Sequence, residues 1–124
     1  MTERDLALKI ANILYDKKAS DIVVLKVGHL TVLTDYLIIS TGRSALQVKA
    51  LADHVEEALE EAGVQPRRVE GRGDVRWVVM DYAQVIVHIF RPDEREFYHL
   101  ERLWSDGQNR VALPFDQEED ALEA

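Results

Sequence analysis

The side chains that most often carry catalysis or bind metals are present, but they form no recognised catalytic or metal-binding pattern. The four histidines are His29, His54, His88 and His99, and none lies at the H-x-x-x-H spacing of a metal site. The chain has no cysteine, which excludes thiolate ligands and disulfides. The serines lack the G-x-S-x-G context of a nucleophile. The sequence therefore predicts no catalytic residue, no metal site and no cofactor, and it favours a hydrogen-bonded, half-buried side chain for His88.

The acidic residues raise one enzymatic alternative, a metal-dependent enzyme similar to nucleotidyltransferases. A Gly-Arg-Ser turn at residues 42–44 follows a predicted strand and begins a helix, as in those enzymes. Two-metal phosphoryl transfer needs closely spaced carboxylates. The helix carries no acidic residue before Asp53, and Glu70, Asp74 and Asp81 are scattered over a strand end, a turn and a hairpin. The missing carboxylate pair disfavours this alternative.

The elements that must position any site are organised around a strand–turn–helix unit over residues 35–63. The strand, residues 36–41, is apolar on both faces, and Ser44 and Gln47 have the spacing of a capping box at the start of a helix. Gly63 lies where a left-handed helix end is favoured. The free N–H groups of the turn could bind phosphate, but a tight turn and a helix cap explain the same residues, and that structural interpretation is favoured.

The remaining pattern predicts an α/β domain with a mixed sheet flanked by helices. A helix is predicted over residues 3–17, strands over 21–27 and 67–70, an antiparallel hairpin from 77–81 and 84–90, and an extended segment over 111–115. A last helix is predicted from residue 93 to Gly107, with an apolar side formed by Phe97, Leu100, Leu103 and Trp104. We expect one domain over residues 1–115 and a short, acidic, disordered tail over 116–124.

Composition narrows the classes of partner. The chain has 124 residues, which suits a single domain, and a net charge of −8. That charge disfavours broad nucleic-acid binding, which depends on Lys and Arg, and favours a basic partner surface. The charged start shows no secretory signal, and no apolar run approaches the roughly 20 residues of a membrane span. With no cysteine, the sequence indicates a cytoplasmic protein without membrane or sequence-specific nucleic-acid contacts.

Aromatic residues near charges suggest a binding surface. Trp77, Val79 and Asp81 share one face of a predicted strand. A face with both a tryptophan and an aspartate is less often wholly internal, and tryptophan and tyrosine are favoured interface anchors. Tryptophan also fills cores. The sequence leaves both interpretations of Trp77 open.

Several motifs occur in an order and spacing typical of one protein family. The motifs are Asp35-Tyr-Leu-Ile-Ile-Ser-Thr-Gly-Arg-Ser44, Gln47-Val48, Glu70-Gly71, Trp77 to Asp81, Val87-His88 and Arg95-Glu-Phe-Tyr-His-Leu-Glu-Arg-Leu-Trp104. Each is weak alone, and together they resemble the ribosomal silencing factor RsfS, or Iojap, family from about Leu6 to Leu113. One departure is the hairpin corner at residues 82–84, where the family often has a Gly-Asp turn.

The resemblance implies a non-catalytic function. Members of this family bind large-ribosomal-subunit protein fourteen on the face that meets the small subunit. They thereby block subunit joining and lower translation when nutrients are limiting. Their fold is similar to that of nucleotidyltransferases without the catalytic residues. Carried over to this sequence, the binding surface falls on Trp77, Val79 and Asp81, with Glu70 and Tyr98 as further candidates.

The hairpin also predicts self-association. It has apolar residues on both faces, including Ile86 and Ile89, and an incompletely covered sheet face or edge favours pairing with another copy. We expect a weak homodimer held at or near the ribosome-binding surface.

Overall fold

The computed structural model describes residues 1–116. Four helices and five strands follow one another along the chain, and their bounds lie close to the predicted ones for every element before the last helix. In order they are α1 (Glu3–Asp16), β1 (Ser20–Lys26), β2 (Tyr36–Thr41), α2 (Ala45–Glu61), β3 (Arg68–Glu70), β4 (Trp77–Asp81), β5 (Val85–Phe90), α3 (Pro92–Tyr98) and α4 (Leu100–Trp104).

The five strands form one mixed sheet in the order β1-β2-β5-β4-β3. The central pair, β2 and β5, is parallel, and every other neighbouring pair is antiparallel. The hairpin of β4 and β5 is therefore confirmed. β2 is buried along its whole length, as expected of a central strand whose side chains are apolar on both faces. The predicted α/β class with a mixed sheet is also confirmed.

Helices α1 and α2 pack side by side on the first face of the sheet. α1 begins with a complete capping box between Thr2 and Asp5. At the start of α2 the Ser44 hydroxyl accepts from the Gln47 N–H (3.1 Å), but the Gln47 carboxamide oxygen accepts from the N–H of Arg43 (2.6 Å). The capping box predicted there is therefore half right, because the returning side chain reaches one residue further back. Gly63 has φ of 80°, which confirms the left-handed end of α2.

The second face of the sheet, opposite α1 and α2, carries a smaller core. Leu25, Leu37, Ile39 and Phe90 are buried there, and α3 and α4 cover part of it. The chain after α4 runs along the edge strand: Arg110 pairs with Leu25. Buried Val111, Leu113 and Phe115 then pack against the main core, as predicted for the extended segment.

The single last helix predicted from residue 93 to Gly107 is wrong. The chain breaks at His99, which has a left-handed φ of 46° and separates α3 from α4. Leu100 and Trp104 pack against the second face, whereas Phe97 and Leu103 are 80% and 74% exposed. The apolar side predicted for one continuous helix is thus divided between the core and the surface.

Two further findings concern the predicted C-terminal tail and the search for a membrane-spanning helix. Asp116, the first residue of the predicted tail, is hydrogen-bonded to Leu113, and residues 117–124 of that tail lie outside the described residues. Within the described part of the chain, no helix has the length and apolar character to span a bilayer.

Candidate functional site

The second face brings together all five residues predicted to bind a partner. Trp77, Val79 and Asp81 alternate along β4 and therefore point to the same side of the sheet. Glu70 lies directly opposite Val79 in β3. Tyr98, from α3, packs against Trp77 with ring centroids 4.9 Å apart and the two rings tilted by 43°.

Trp77 is half-buried and held in place from three sides. Its indole Nε1–H donates to Nδ1 of His88 over 2.9 Å, and its ring stacks on Phe90 with centroids 4.8 Å apart. Tyr98 closes the third side. The ring packs on the small core of the second face and remains partly exposed, so it is still accessible to a partner. A tryptophan fixed in this way loses little conformational freedom on binding, which suits an anchor.

His88 is a neutral hydrogen-bonding residue in this cluster. Only 9% of the residue is exposed, and this burial lowers the pKa of its imidazole from the usual 6.5 to about 4. Because Nδ1 accepts from the indole, the imidazole proton is on Nε2. The sequence correctly predicted a hydrogen-bonded side chain at this position, although His88 is more deeply buried than expected.

Asp81 is less available to a partner than the sequence suggested. Both carboxylate oxygens accept from the Arg67 guanidinium, over 3.1 and 3.2 Å, and one also accepts from the Ala83 N–H over 2.8 Å. Its side chain is only 14% exposed. Glu70 differs, since its side chain is 60% exposed and lies 3.4 Å from the Arg68 guanidinium, which is itself 69% exposed. The freely accessible acidic group among the five residues is therefore Glu70.

A cavity of about 270 Å³ lies beside Trp77, and the sequence did not predict it. We call it the Trp77 cavity. The β1–β2 loop, the sheet and α4 all contribute to its walls, so its residues come from distant parts of the chain. It is lined by Val27, Thr31, Leu33, Thr34, Leu37, Trp77, His88, Leu100 and Trp104.

Exposed apolar side chains extend this surface. Leu33 and Val32 in the β1–β2 loop are 69% and 102% exposed, although Leu33 also lines the cavity. Phe97 and Leu103 on the two short helices are similarly exposed. In the sequence Val32 and Leu33 stand out only as apolar side chains between the strands predicted over 21–27 and 36–41. Contiguous exposed apolar surface is typical of binding sites.

Arg95 attaches the two short helices to the sheet, a role that the sequence did not indicate. Its guanidinium donates to the Thr41 hydroxyl (2.8 Å), to the carbonyl of Asp21 (2.5 Å) and to the Glu101 carboxylate (2.7 Å). The arginine side chain is only 13% exposed, so these charge-assisted bonds are shielded from water. This contact holds Tyr98 and Trp104 over the second face.

The carboxylates considered for the enzymatic alternative do not converge. Asp81 is paired with Arg67, Asp74 lies 3.4 Å from Arg76, and Glu70, on the edge strand β3, lies 3.4 Å from Arg68. Among residues 1–116, no group of three or more histidine, aspartate or glutamate side chains is arranged to hold a metal ion. The geometry gives two-metal chemistry no support.

Comparison with known proteins decides the family. A family model described as "Ribosomal silencing factor during starvation" (RsfS) matches residues 1–124. The chain belongs to this family. It is 37% identical over 107 residues to ribosomal silencing factor RsfS of Halalkalibacterium halodurans, covering 86% of this chain and 92% of that protein. It is 40% identical over 92 residues to RsfS of Bacillus subtilis, covering 74% and 78%.

A solved structure supports the same assignment. The crystal structure of a Chromobacterium violaceum protein matches with a TM-score of 0.81 and 37% sequence identity, over 92% of this chain and 97% of that one. The resemblance inferred from the motifs is thus confirmed for the family and for the fold. Membership of the RsfS family assigns the protein to the regulation of translation at the ribosome.

Proposed function

We propose that the second face binds large-ribosomal-subunit protein fourteen and thereby blocks joining of the small subunit. The observation that carries this proposal is the clustering of Trp77, Val79, Glu70 and Tyr98 on one accessible sheet face. A protein bound where the two subunits meet excludes the small subunit by its volume alone. Translation would fall under nutrient limitation, and the site of action would be the cytoplasm.

The chemistry of the face suits a basic protein partner. The aromatic rings of Trp77 and Tyr98 provide apolar surface that a bound partner can shield from water at the centre of the interface. Glu70 provides an accessible negative charge at the edge of that surface. The net charge of −8 would speed the encounter with a basic ribosomal surface and would make the association rate sensitive to salt. Asp81 contributes chiefly by holding the hairpin corner rather than by direct contact.

We further propose that silencing needs no catalysis. Steric exclusion requires a stable complex and no bond-making step, and Asp81 and Asp74, two of the carboxylates considered for two-metal chemistry, lie next to Arg67 and Arg76. Purified protein should hydrolyse or transfer no nucleotide, with or without magnesium. An activity that disappears in a folded Asp74→Ala or Asp81→Ala variant would instead support the nucleotidyltransferase-like alternative.

Self-association through the second face is a second proposal. Phe97 on α3, Leu103 on α4 and Val32 in the β1–β2 loop are exposed, and two copies that cover these residues would form a weak homodimer. Of the two hairpin residues that suggested this, Ile86 is partly buried on the second face, whereas Ile89 is fully buried against α1 and α2. Light scattering over a range of concentrations tests the proposal, and a monomer at high concentration contradicts it.

Sedimentation with isolated ribosomal subunits tests the main proposal. We expect the protein to co-migrate with the large subunit and not with the small one, and to reduce the formation of joined ribosomes from purified subunits. Cross-linking from position 77 should then identify protein fourteen. Co-migration with the small subunit, or joining that is unaffected by saturating protein, would contradict the proposal.

A further inference from the structure

The Trp77 cavity has a composition that selects its occupant. Its walls are apolar or aromatic apart from two threonines and His88, and none of its lining residues carries a charge at neutral pH. A lysine or arginine head group placed there would lose its hydration without gaining a counter-charge, which is costly. The cavity therefore favours an apolar group even if the partner as a whole is basic.

His88 adds one directed polar contact to this apolar space. Its Nδ1 accepts from Trp77, which leaves Nε2–H as a donor with no hydrogen-bond partner among the described residues. Within that part of the chain, the fully enclosed side-chain polar atom without a partner is the Tyr82 hydroxyl. Nε2 therefore still reaches accessible space, and His88 lines the cavity. An unpaired donor in an apolar cavity favours a ligand with an acceptor.

The volume and position of the cavity suit a side chain delivered from outside. A cavity of about 150 Å³ lined by aliphatic and aromatic residues is enough to bind benzene, and the Trp77 cavity measures about 270 Å³. Its wall includes Leu33, which is 69% exposed, so the cavity opens at the surface. Trp77, the proposed anchor, forms another wall, so the cavity is continuous with the proposed binding face.

We propose that the Trp77 cavity receives one apolar side chain of the bound ribosomal protein, whose neighbouring carbonyl oxygen accepts from Nε2 of His88. The inference rests on the proposed function, since it names what the second face recognises. A peptide segment supplies both required groups at a fixed spacing, an aliphatic or aromatic side chain and a backbone carbonyl. Basic residues of the same partner would contact the acidic margin and remain outside the cavity.

Two pairs of variants test the cavity. Leu33→Trp enlarges an exposed side chain at the opening and should block it, whereas Leu46→Trp makes the same change at a 79% exposed position on α2 that does not line the cavity. His88→Asn retains an acceptor near Nδ1 but removes the donor at Nε2, and His88→Gln does the reverse. Urea denaturation of all four establishes that they are folded before binding is compared.

The first measurement is the affinity for isolated large ribosomal subunits by sedimentation. We expect Leu33→Trp to weaken binding on the order of tenfold or more, as for loss of an interface anchor, and Leu46→Trp to leave it unchanged. His88→Asn should weaken binding more than His88→Gln does. Wild-type affinity in a folded Leu33→Trp variant would overturn the inference.

The second measurement tests ligand binding to the Trp77 cavity in the absence of ribosomes. N-acetyl-leucine methylamide, which carries an apolar side chain beside carbonyl groups, is titrated into labelled protein and followed by NMR. It should shift the Trp77 indole and His88 ring signals in the wild type and in Leu46→Trp, but not in Leu33→Trp. Unshifted signals in the wild type would refute the cavity as a site. If instead the wild type shows this shift but binds no large subunit, the proposed function fails and the cavity stands.

Discussion

Acidification should destabilise the protein through His88. Burial lowers the pKa of this imidazole to about 4, against the usual 6.5, so the unfolded chain binds more protons than the folded one between these two pH values. Stability is therefore complete above pH 6.5 and falls as the pH drops towards 4. One pKa unit corresponds to about 1.4 kcal/mol, so the linkage predicts a loss of about 2 kcal/mol at about pH 5.

The loss of stability in acid arises where the His88 imidazole meets the Trp77 indole. Protonation puts a second N–H on the imidazole, and the Nδ1 that accepts from the Trp77 indole at 2.9 Å becomes a donor facing a donor. Because no charged side chain lines the cavity beside His88, the imidazolium would be buried without a counter-charge. Acid should thus release Trp77 as well as lower the free energy of unfolding.

Urea denaturation at about pH 7 and about pH 5 measures the effect in the wild type and in His88→Asn. The pH-dependent loss should be about 2 kcal/mol smaller in His88→Asn than in the wild type. The other titrating groups are common to both proteins and cancel in the comparison. An NMR titration of His88 near the usual 6.5, or an undiminished pH dependence in His88→Asn, would refute the reasoning.

Four further predictions concern the binding face and the turn that supports it. Trp77→Ala should lower the free energy of unfolding by about 2–4 kcal/mol and, in the fraction that stays folded, weaken large-subunit binding by on the order of 2 kcal/mol; a folded variant with full affinity would contradict this. Asp81→Lys should cost about 1–3 kcal/mol of stability, because it leaves hydrogen-bond donors unpaired. Glu70→Lys should change stability by less than about 0.5 kcal/mol yet weaken binding most at low salt, as sedimentation at two salt concentrations would reveal. Gly71→Ala, at φ of 93°, would place a Cβ against the backbone of Trp77, and denaturation should show a larger loss than Gly63→Ala, whose Cβ meets nothing within 4 Å.

Only part of the candidate binding face could be predicted from the sequence. Trp77, Val79 and Asp81 could be assigned to one face because alternation along a strand is a local property. Glu70 joined them once β3 and β4 paired in register. The pairing of Asp81 with Arg67, which removes Asp81 from the accessible charges, depends on the geometry of the hairpin corner and was not predictable from spacing.

The last predicted helix also shows that long-range contacts can override a local pattern. Its apolar residues recur at helical spacing, so the sequence predicted one continuous helix with four residues on its apolar side. The structure instead turns at His99, and Arg95 attaches the chain to Thr41 and Asp21, far away in sequence. Long-range hydrogen bonds and the space above the second face outweigh local helical periodicity here.

By itself the sequence determined the α/β class, the bounds of most elements and the family, because these follow from local periodicity, capping residues and ordered motifs. Only the tertiary structure decided which apolar residues remain exposed, that His88 is buried and neutral, and that a cavity opens beside Trp77. Those properties depend on solvent exclusion and on bringing together residues such as Leu33 and Trp104, which line one cavity although they lie far apart in the sequence. A local pattern predicts which face of an element is apolar, as it did for β2, but how far each side chain is buried depends on the whole packed chain.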